Sequence, residues 1–261
     1  MGRIAVDSSD PAGLWAARRE YERFDIGYHR DSSHWYGWMD FGDLSVPGKG
    51  QVSLHYDWPL LVLMEYLRNG SSDALALATQ MTRHRVDIDQ YWSDRDPEHV
   101  NGVQSGSVWP AWHADGRYGG PAPGGTWIAG PALYYMLTGE PKAREACMRS
   151  ANGLADAWEY ISGRKVYGGG RKQDMDRNGW AIESFCAAYA LTADRKWLDA
   201  ALKLFSTNIT TAWKEHGPHL HNPRGQIVGQ DYAADDRRYC YVIGPLCNLH
   251  RLTGDKKVLE L

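Results

Sequence analysis

Phenylalanine is nearly missing from this chain. Its 261 residues include 4 Phe against 12 Trp and 15 Tyr, so the aromatic content sits in rings that carry a polar handle. Cysteine is sparse as well. The four cysteines, Cys147, Cys186, Cys240 and Cys247, form no Cys-x-x-Cys pair and fall in predicted helices, which points to buried thiols and away from a disulfide frame or a zinc site. There is no charge excess: 29 basic residues balance 32 acidic ones, giving no reason to propose nucleic acid or an anionic membrane as partner. No apolar run reaches membrane-spanning length, and residues 1–10 lack the charged-then-apolar order of a signal peptide. A phosphate-binding Gly loop, a nucleophile elbow, a zinc spacing and a dinucleotide fingerprint are all missing, which counts against kinase, esterase, metalloprotease and dehydrogenase chemistry.

What the chain does have is a repeat. Leu252-Thr-Gly-Asp255 has near-copies at Leu137-Thr-Gly-Glu140 and Leu191-Thr-Ala-Asp194, with a degenerate copy at Leu67-Arg-Asn-Gly70. Each copy lies between two helix-like apolar runs, so the repeated object is a helical hairpin whose turn is closed by Gly or by a capping Asp, Glu or Ser. The turns never lengthen, whereas the connections at 92–124, 162–175 and 215–230 are long. In an array of antiparallel hairpins the short turns gather at one end and the long loops at the other, forming a rim where binding and catalytic residues accumulate.

The repeats predict inner helices over 52–67, 126–137, 179–191 and 239–252. Runs such as 60–64, 131–136 and 185–190 are apolar nearly all round, while 73–90 and 195–211 keep one polar face and so form outer helices. The fold class is therefore all-α, an (α/α) toroid. Residues 1–51 read as a lead-in with one helix and an extended segment, and 52–261 as hairpin repeats truncated at the C-terminus. A ring left incomplete in this way exposes apolar inner faces, so missing domains or partner subunits are expected to complete it.

Trp35, Trp38, Trp58, Trp92, Trp109, Trp112, Trp127 and Trp180 fall in rim connections or first turns. Flat rings with a polar edge suit sugar faces, which makes a polysaccharide or oligosaccharide the leading ligand class. Inner-helix N-termini, with free N–H groups and partial positive charge, favour a uronate. The substrate-binding candidates are Trp38, His55, Trp112, Arg117, Trp127, Trp180, Arg238 and Tyr239. The catalytic candidates are His84, His113, Tyr118, Asp57 and Asp87. His84 and Asp87 share a helix face by spacing, so the carboxylate could orient the imidazole, and with Asp89 the group could hold a cation such as calcium. No other cofactor is implied. For Asp174, Asp176 and Asp235 the expected role is helix capping.

Tyr36-Gly-Trp-Met-Asp-Phe-Gly-Asp43, the run from Leu67 to Tyr91, and the block from Thr126 to Gly139 resemble the toroid domain of the YetA-like, exo-rhamnogalacturonan lyase group. That resemblance implies β-elimination next to a uronate, with His84 and Asp87 the positions carried over. Gly125 stands where a His is expected before Thr126-Trp127, and no β-sandwich is present. In such a reaction Arg117 or Arg238 would pair the substrate carboxylate, His84 or His113 would take the C5 proton, and Tyr118 or Tyr239 would protonate the leaving oxygen. One alternative is a glycoside hydrolase using two carboxylates from Asp40, Asp43, Asp57, Asp87 and Glu183. Another is a glycan-binding or assembly module in which nothing reacts. Localisation stays open, with a secreted or periplasmic setting the leaning.

Overall fold

The computed structural model describes residues 44–45, 51–52, 54, 57–90, 126–163, 175–216, 220–221, 227–228 and 236–260. Two very short antiparallel ladders occur, β1 (Leu44–Ser45) with β2 (Gln51–Val52) and β3 (Leu220–His221) with β4 (Ile227–Val228). The remaining elements are helical: α1 (Trp58–Asn69), α2 (Ser72–Asp87), α3 (Ala129–Thr138), α4 (Pro141–Gly163), α5 (Met175–Thr192), α6 (Lys196–Leu204), a π turn (Phe205–Ile209) that runs into α7 (Thr210–His216), α8 (Asp236–Thr253) and a closing 3-10 turn (Lys256–Leu259).

The repeated phrase works through local chemistry. Thr138, Thr192 and Thr253 each donate their hydroxyl to the carbonyl four residues back and accept the N–H two residues on, at 3.2 Å in every copy. The next residue turns left-handed, at φ 74° for Gly139, 54° for Ala193 and 71° for Gly254, and its N–H closes on the carbonyl four back at 2.7 Å. In the first copy Gly70 takes that conformation and Asn69 Oδ1 accepts the Ser71 N–H at 2.9 Å, as the threonines do elsewhere. The equivalence is therefore Gly70 with Gly139, and the alignment on Leu67 is one residue out of step.

α3 packs beside α1 and α5, and α8 packs on α5, while α2, α4 and α6 return behind them. This is the all-α, (α/α) toroid layering, with α1, α3, α5 and α8 inside. Side-chain ties between successive inner helices repeat. Asp57, 13 residues before Gly70, bonds to Gly130, 9 before Gly139; Thr126, 13 before Gly139, accepts from Ser184, 9 before Ala193. Residues at similar distances from their turns thus meet, so the inner helices run parallel and the turns share one end.

One apolar cluster joins α3 to α8 around Ile128, Leu154, Phe185, Trp197 and Leu249, and a second holds α1 and α2 around Leu54, Leu63 and Met81. Each inner helix leaves one stripe uncovered: Met64 and Leu67, Met136 and Leu137, Glu183 and Ala187, Ile243 and Cys247. Cys147 and Cys186 are buried free thiols as expected, but Cys247 lies on that open stripe, because position 247 of α8 faces away from both layers. No described helix is long and apolar enough to cross a membrane. The lead-in helix expected within 1–51 and the side chain of Cys240 lie outside the described residues.

Candidate functional site

Asp57 stands where α1 begins, in a left-handed conformation (φ 55°, ψ 52°) that an Asp tolerates better than most residues. Its Oδ1 accepts the Leu60 N–H at 3.4 Å, capping α1, and its Oδ2 accepts the Gly130 N–H at 2.9 Å in the first turn of α3. One carboxyl so fastens two inner helices. Gly130 makes this approach feasible, because a Cβ there would lie 2.3 Å from Asp57 Oδ1 and 2.6 Å from Leu60 N. Burial pushes the Asp57 carboxyl above its ordinary range; the Gly130 N–H, the Arg85 charge and the Leu60 and Ala129 N–H groups act in the opposite direction. Proposed from sequence as an acid/base group, Asp57 is 6% exposed, with its oxygens turned to backbone donors.

Behind it Arg85 is buried. Its guanidinium donates to the Trp127 carbonyl at 3.1 Å and to Gln90 Oε1 at 3.3 Å, while Gln90 in turn donates to the Ala146 carbonyl and accepts from Ser150. Burial lowers the Arg85 pKa, and the Asp89 and Asp57 charges counter it. Sequence reasoning passed over this residue, yet a signal was there: Ala74, Ala78, Met81 and Arg85 follow helical spacing on the buried face of α2.

The expected pairing of His84 with Asp87 is not the one formed. Nε2 of His84 lies 3.4 Å from Asp89 Oδ1, both side chains fully buried, whereas Asp87 is exposed and pairs with Lys142 of α4. The helical spacing holds within α2, but His84 lies on its buried face and Asp87 on its exposed one, and the turn after the helix brings Asp89 beside His84. His84 and Asp87 therefore sit in separate environments, and among the described residues no three His, Cys, Asp or Glu side chains converge to hold a metal ion.

Trp127 and Trp180 meet edge to face, ring centroids 5.2 Å apart at 61°, and both are buried. Expected as open sugar platforms, both are instead buried, with the edge of one ring set against the face of the other. Ser184 beside them donates to the Thr126 carbonyl, and Asn208 in the π turn donates to buried Asn178 at 2.8 Å. These ties fix the beginning of α5.

Glu183 is placed differently. It is partly exposed on α5, and Asn248 Nδ2 of α8 donates to its two oxygens at 3.2 and 3.3 Å. Arg251 Nη2 donates to Asn248 Oδ1 at 2.9 Å. Burial raises the Glu183 pKa; the Asn248 hydrogen bond lowers it, the Asp57 charge raises it and the Arg251 charge lowers it. Among the candidates, His113, Tyr118, Arg117, Trp112, Trp38, His55, Asp40 and Asp43 lie outside the described residues. Arg238 and Tyr239 fall in the first turn of α8, at the same end of the array as Asp57.

No protein-family model and no curated protein matches this chain. Among solved structures it is similar to a glycoside hydrolase family 76 (mannosidase) from Bacteroides thetaiotaomicron VPI-5482, at 13% identity and a TM-score of 0.44 over 77% of this chain. The match spans 54% of that protein's length, and a likeness this slight carries nothing about what this chain does.

Proposed function

We propose that the chain is a carbohydrate-active enzyme that binds a glycan across the end of the array where the inner helices begin, and cleaves its glycosidic bonds by hydrolysis. The observation that carries this reading is the sorting of the array. The left-handed turns share one end, so the long connections, among them 92–124 with Trp92, Trp109 and Trp112, arise at the other, beside the inner-helix N-termini. Hydrolysis is favoured over elimination by the ionisable groups placed there. Among the described inner-helix residues Glu183 is a partly exposed carboxyl, while the imidazole proposed as an elimination base, His84, is enclosed with Asp89.

Elimination next to a uronate is the second reading. It is supported by the resemblance of residues 36–43, 67–91 and 126–139 to the YetA-like lyase group and by the partial positive charge at the inner-helix N-termini. His113, Arg117 and Tyr118 would then carry it, with Arg238 or Tyr239. The test is to incubate the protein with neutral and uronate-containing polysaccharides and follow reducing ends together with ultraviolet absorbance from a new C4–C5 double bond. Reducing ends without absorbance support hydrolysis, and the two rising together support elimination. Neither, with retained glycan binding, would sink the enzyme reading and leave a binding module.

A further inference from the structure

We propose that Glu183 is the proton donor of this site, handing its proton to the glycosidic oxygen that leaves. This rests on the reading that this end of the array cleaves glycans. α5 is buried on nearly every side, and its uncovered stripe is Glu183, Ala187 and Ala190, so the carboxyl is the stripe's one ionisable group among the described residues. Counted back from the left-handed turn residues, Glu183 stands level with Ala129 of α3 and Gly244 of α8, each ten residues before its turn. A Cβ added at Gly244 would meet nothing within 4 Å. Glu183 keeps partial exposure beside Asn248, and at its level α8 presents a glycine and no side chain.

The Asn248 amide decides what that carboxyl can do. Its oxygen is taken by Arg251 Nη2 at 2.9 Å, which turns the NH2 toward Glu183. Only donors face the carboxyl from that side. A protonated Glu183 has no acceptor in Asn248, so its O–H remains available to a ligand on the exposed side of the stripe. Burial and the Asp57 carboxyl favour keeping that proton, whereas Asn248 and Arg251 favour losing it. Cys186 one turn on, its thiol pushed up to about 12 by burial, stays neutral throughout.

In the step, the Glu183 proton passes to the glycosidic oxygen as the bond to the anomeric carbon breaks, and the bonding pair leaves with that oxygen. Water adds to the anomeric carbon and gives one proton back to the Glu183 carboxylate. Water is thereby added across the bond, with no net change in the enzyme and no redox.

The experiment compares wild type, Glu183→Gln and Asn248→Ala on the glycan found to be cleaved and on aryl glycosides of the same sugar with leaving groups of increasing acidity. A proton donor is worth about 10²–10⁴-fold. Glu183→Gln should lose about that much kcat on the glycan and progressively less as the leaving group becomes more acidic. In Asn248→Ala the alkaline limb of kcat/KM should move to higher pH, because a hydrogen bond favouring the carboxylate is gone. Equal losses for every leaving group, or an unmoved alkaline limb, would overturn the assignment, as would near-wild-type cleavage by a folded Glu183→Gln. Wild type that cleaves no glycan overturns the cleavage reading and this assignment with it. Wild type that cleaves while the substitution changes nothing overturns the assignment alone.

Discussion

Gly130→Ala places a methyl group 2.3 Å from Asp57 Oδ1, 2.6 Å from Leu60 N and 2.9 Å from Pro59 Cβ. The first neighbour accepts the Leu60 N–H, its carboxyl is held through the other oxygen by the Gly130 N–H, and the second neighbour is backbone, so neither can swing aside; α3 must back away from α1. Overpacking of that kind costs about 1–3 kcal/mol. Separating the Gly130 N–H from the buried carboxyl adds about 1–3 kcal/mol. Alanine's better helix propensity returns at most about 1 kcal/mol, leaving a net loss of roughly 1–6 kcal/mol. For a chain of this size that lowers Tm by at least about 2 °C and by more than about 10 °C toward the upper end. The assay is calorimetry or denaturant unfolding, with Gly244→Ala as the control. Gly244 also lies within a helix and its added methyl group meets nothing beyond its chain neighbours, although Pro245 after it disfavours a helical residue with a Cβ, so that variant should cost less than Gly130→Ala. A Gly130→Ala protein as stable as wild type would refute the idea that one buried carboxyl fastens the first two inner helices.

The pH dependence of Asp57 has a definite sign. Its folded pKa is raised above the unfolded value, so its contribution is full below the unfolded value near 3.8 and is lost as pH rises through the folded one. Asp57→Asn keeps an acceptor without the charge, so wild type should lose stability relative to it in urea titrations run upward from pH 4; a relative gain would contradict the raised pKa. Ala193→Gly should stabilise by about 0.5–1 kcal/mol by relieving a left-handed alanine at φ 54°, and Gly139→Ala should cost a similar amount. Lower stability of Ala193→Gly in denaturant unfolding would count against that strain. Arg85→Ala leaves Asp89 and Asp57 without their buried counter-charge and should cost about 3–5 kcal/mol, whereas Lys142→Ala, which breaks a surface pair with Asp87, should cost less than about 1 kcal/mol. Equal losses would mean that the burial of Arg85 is unimportant.

The hairpins were legible in the sequence because a threonine hydroxyl, a left-handed glycine and a capping acid all act within a few residues. The first copy came out one residue adrift because alignment on Leu67 followed the letter, while Asn69 performs the threonine's hydrogen bond one position on. Pairings across the array were not legible. Asp57 meets Gly130 73 residues away and Glu183 meets Asn248 65 residues away, and no local pattern marks either contact. His84 and Asp87 keep the helical spacing the sequence implies, but the sequence does not show that His84 turns inward to Asp89, beyond the helix end, while Asp87 turns outward to Lys142. The rim tryptophans Trp127 and Trp180 were counted as free faces because composition does not tell an exposed indole from one packed on its neighbour.

A structure of the Glu183→Gln protein soaked with an oligosaccharide of a glycan that the wild type cleaves or binds would test the central claim most directly. The account predicts sugar at the end where α1, α3, α5 and α8 begin, with a glycosidic oxygen within hydrogen-bond reach of residue 183. Sugar held at the turn end, or on the outer helices, would contradict it.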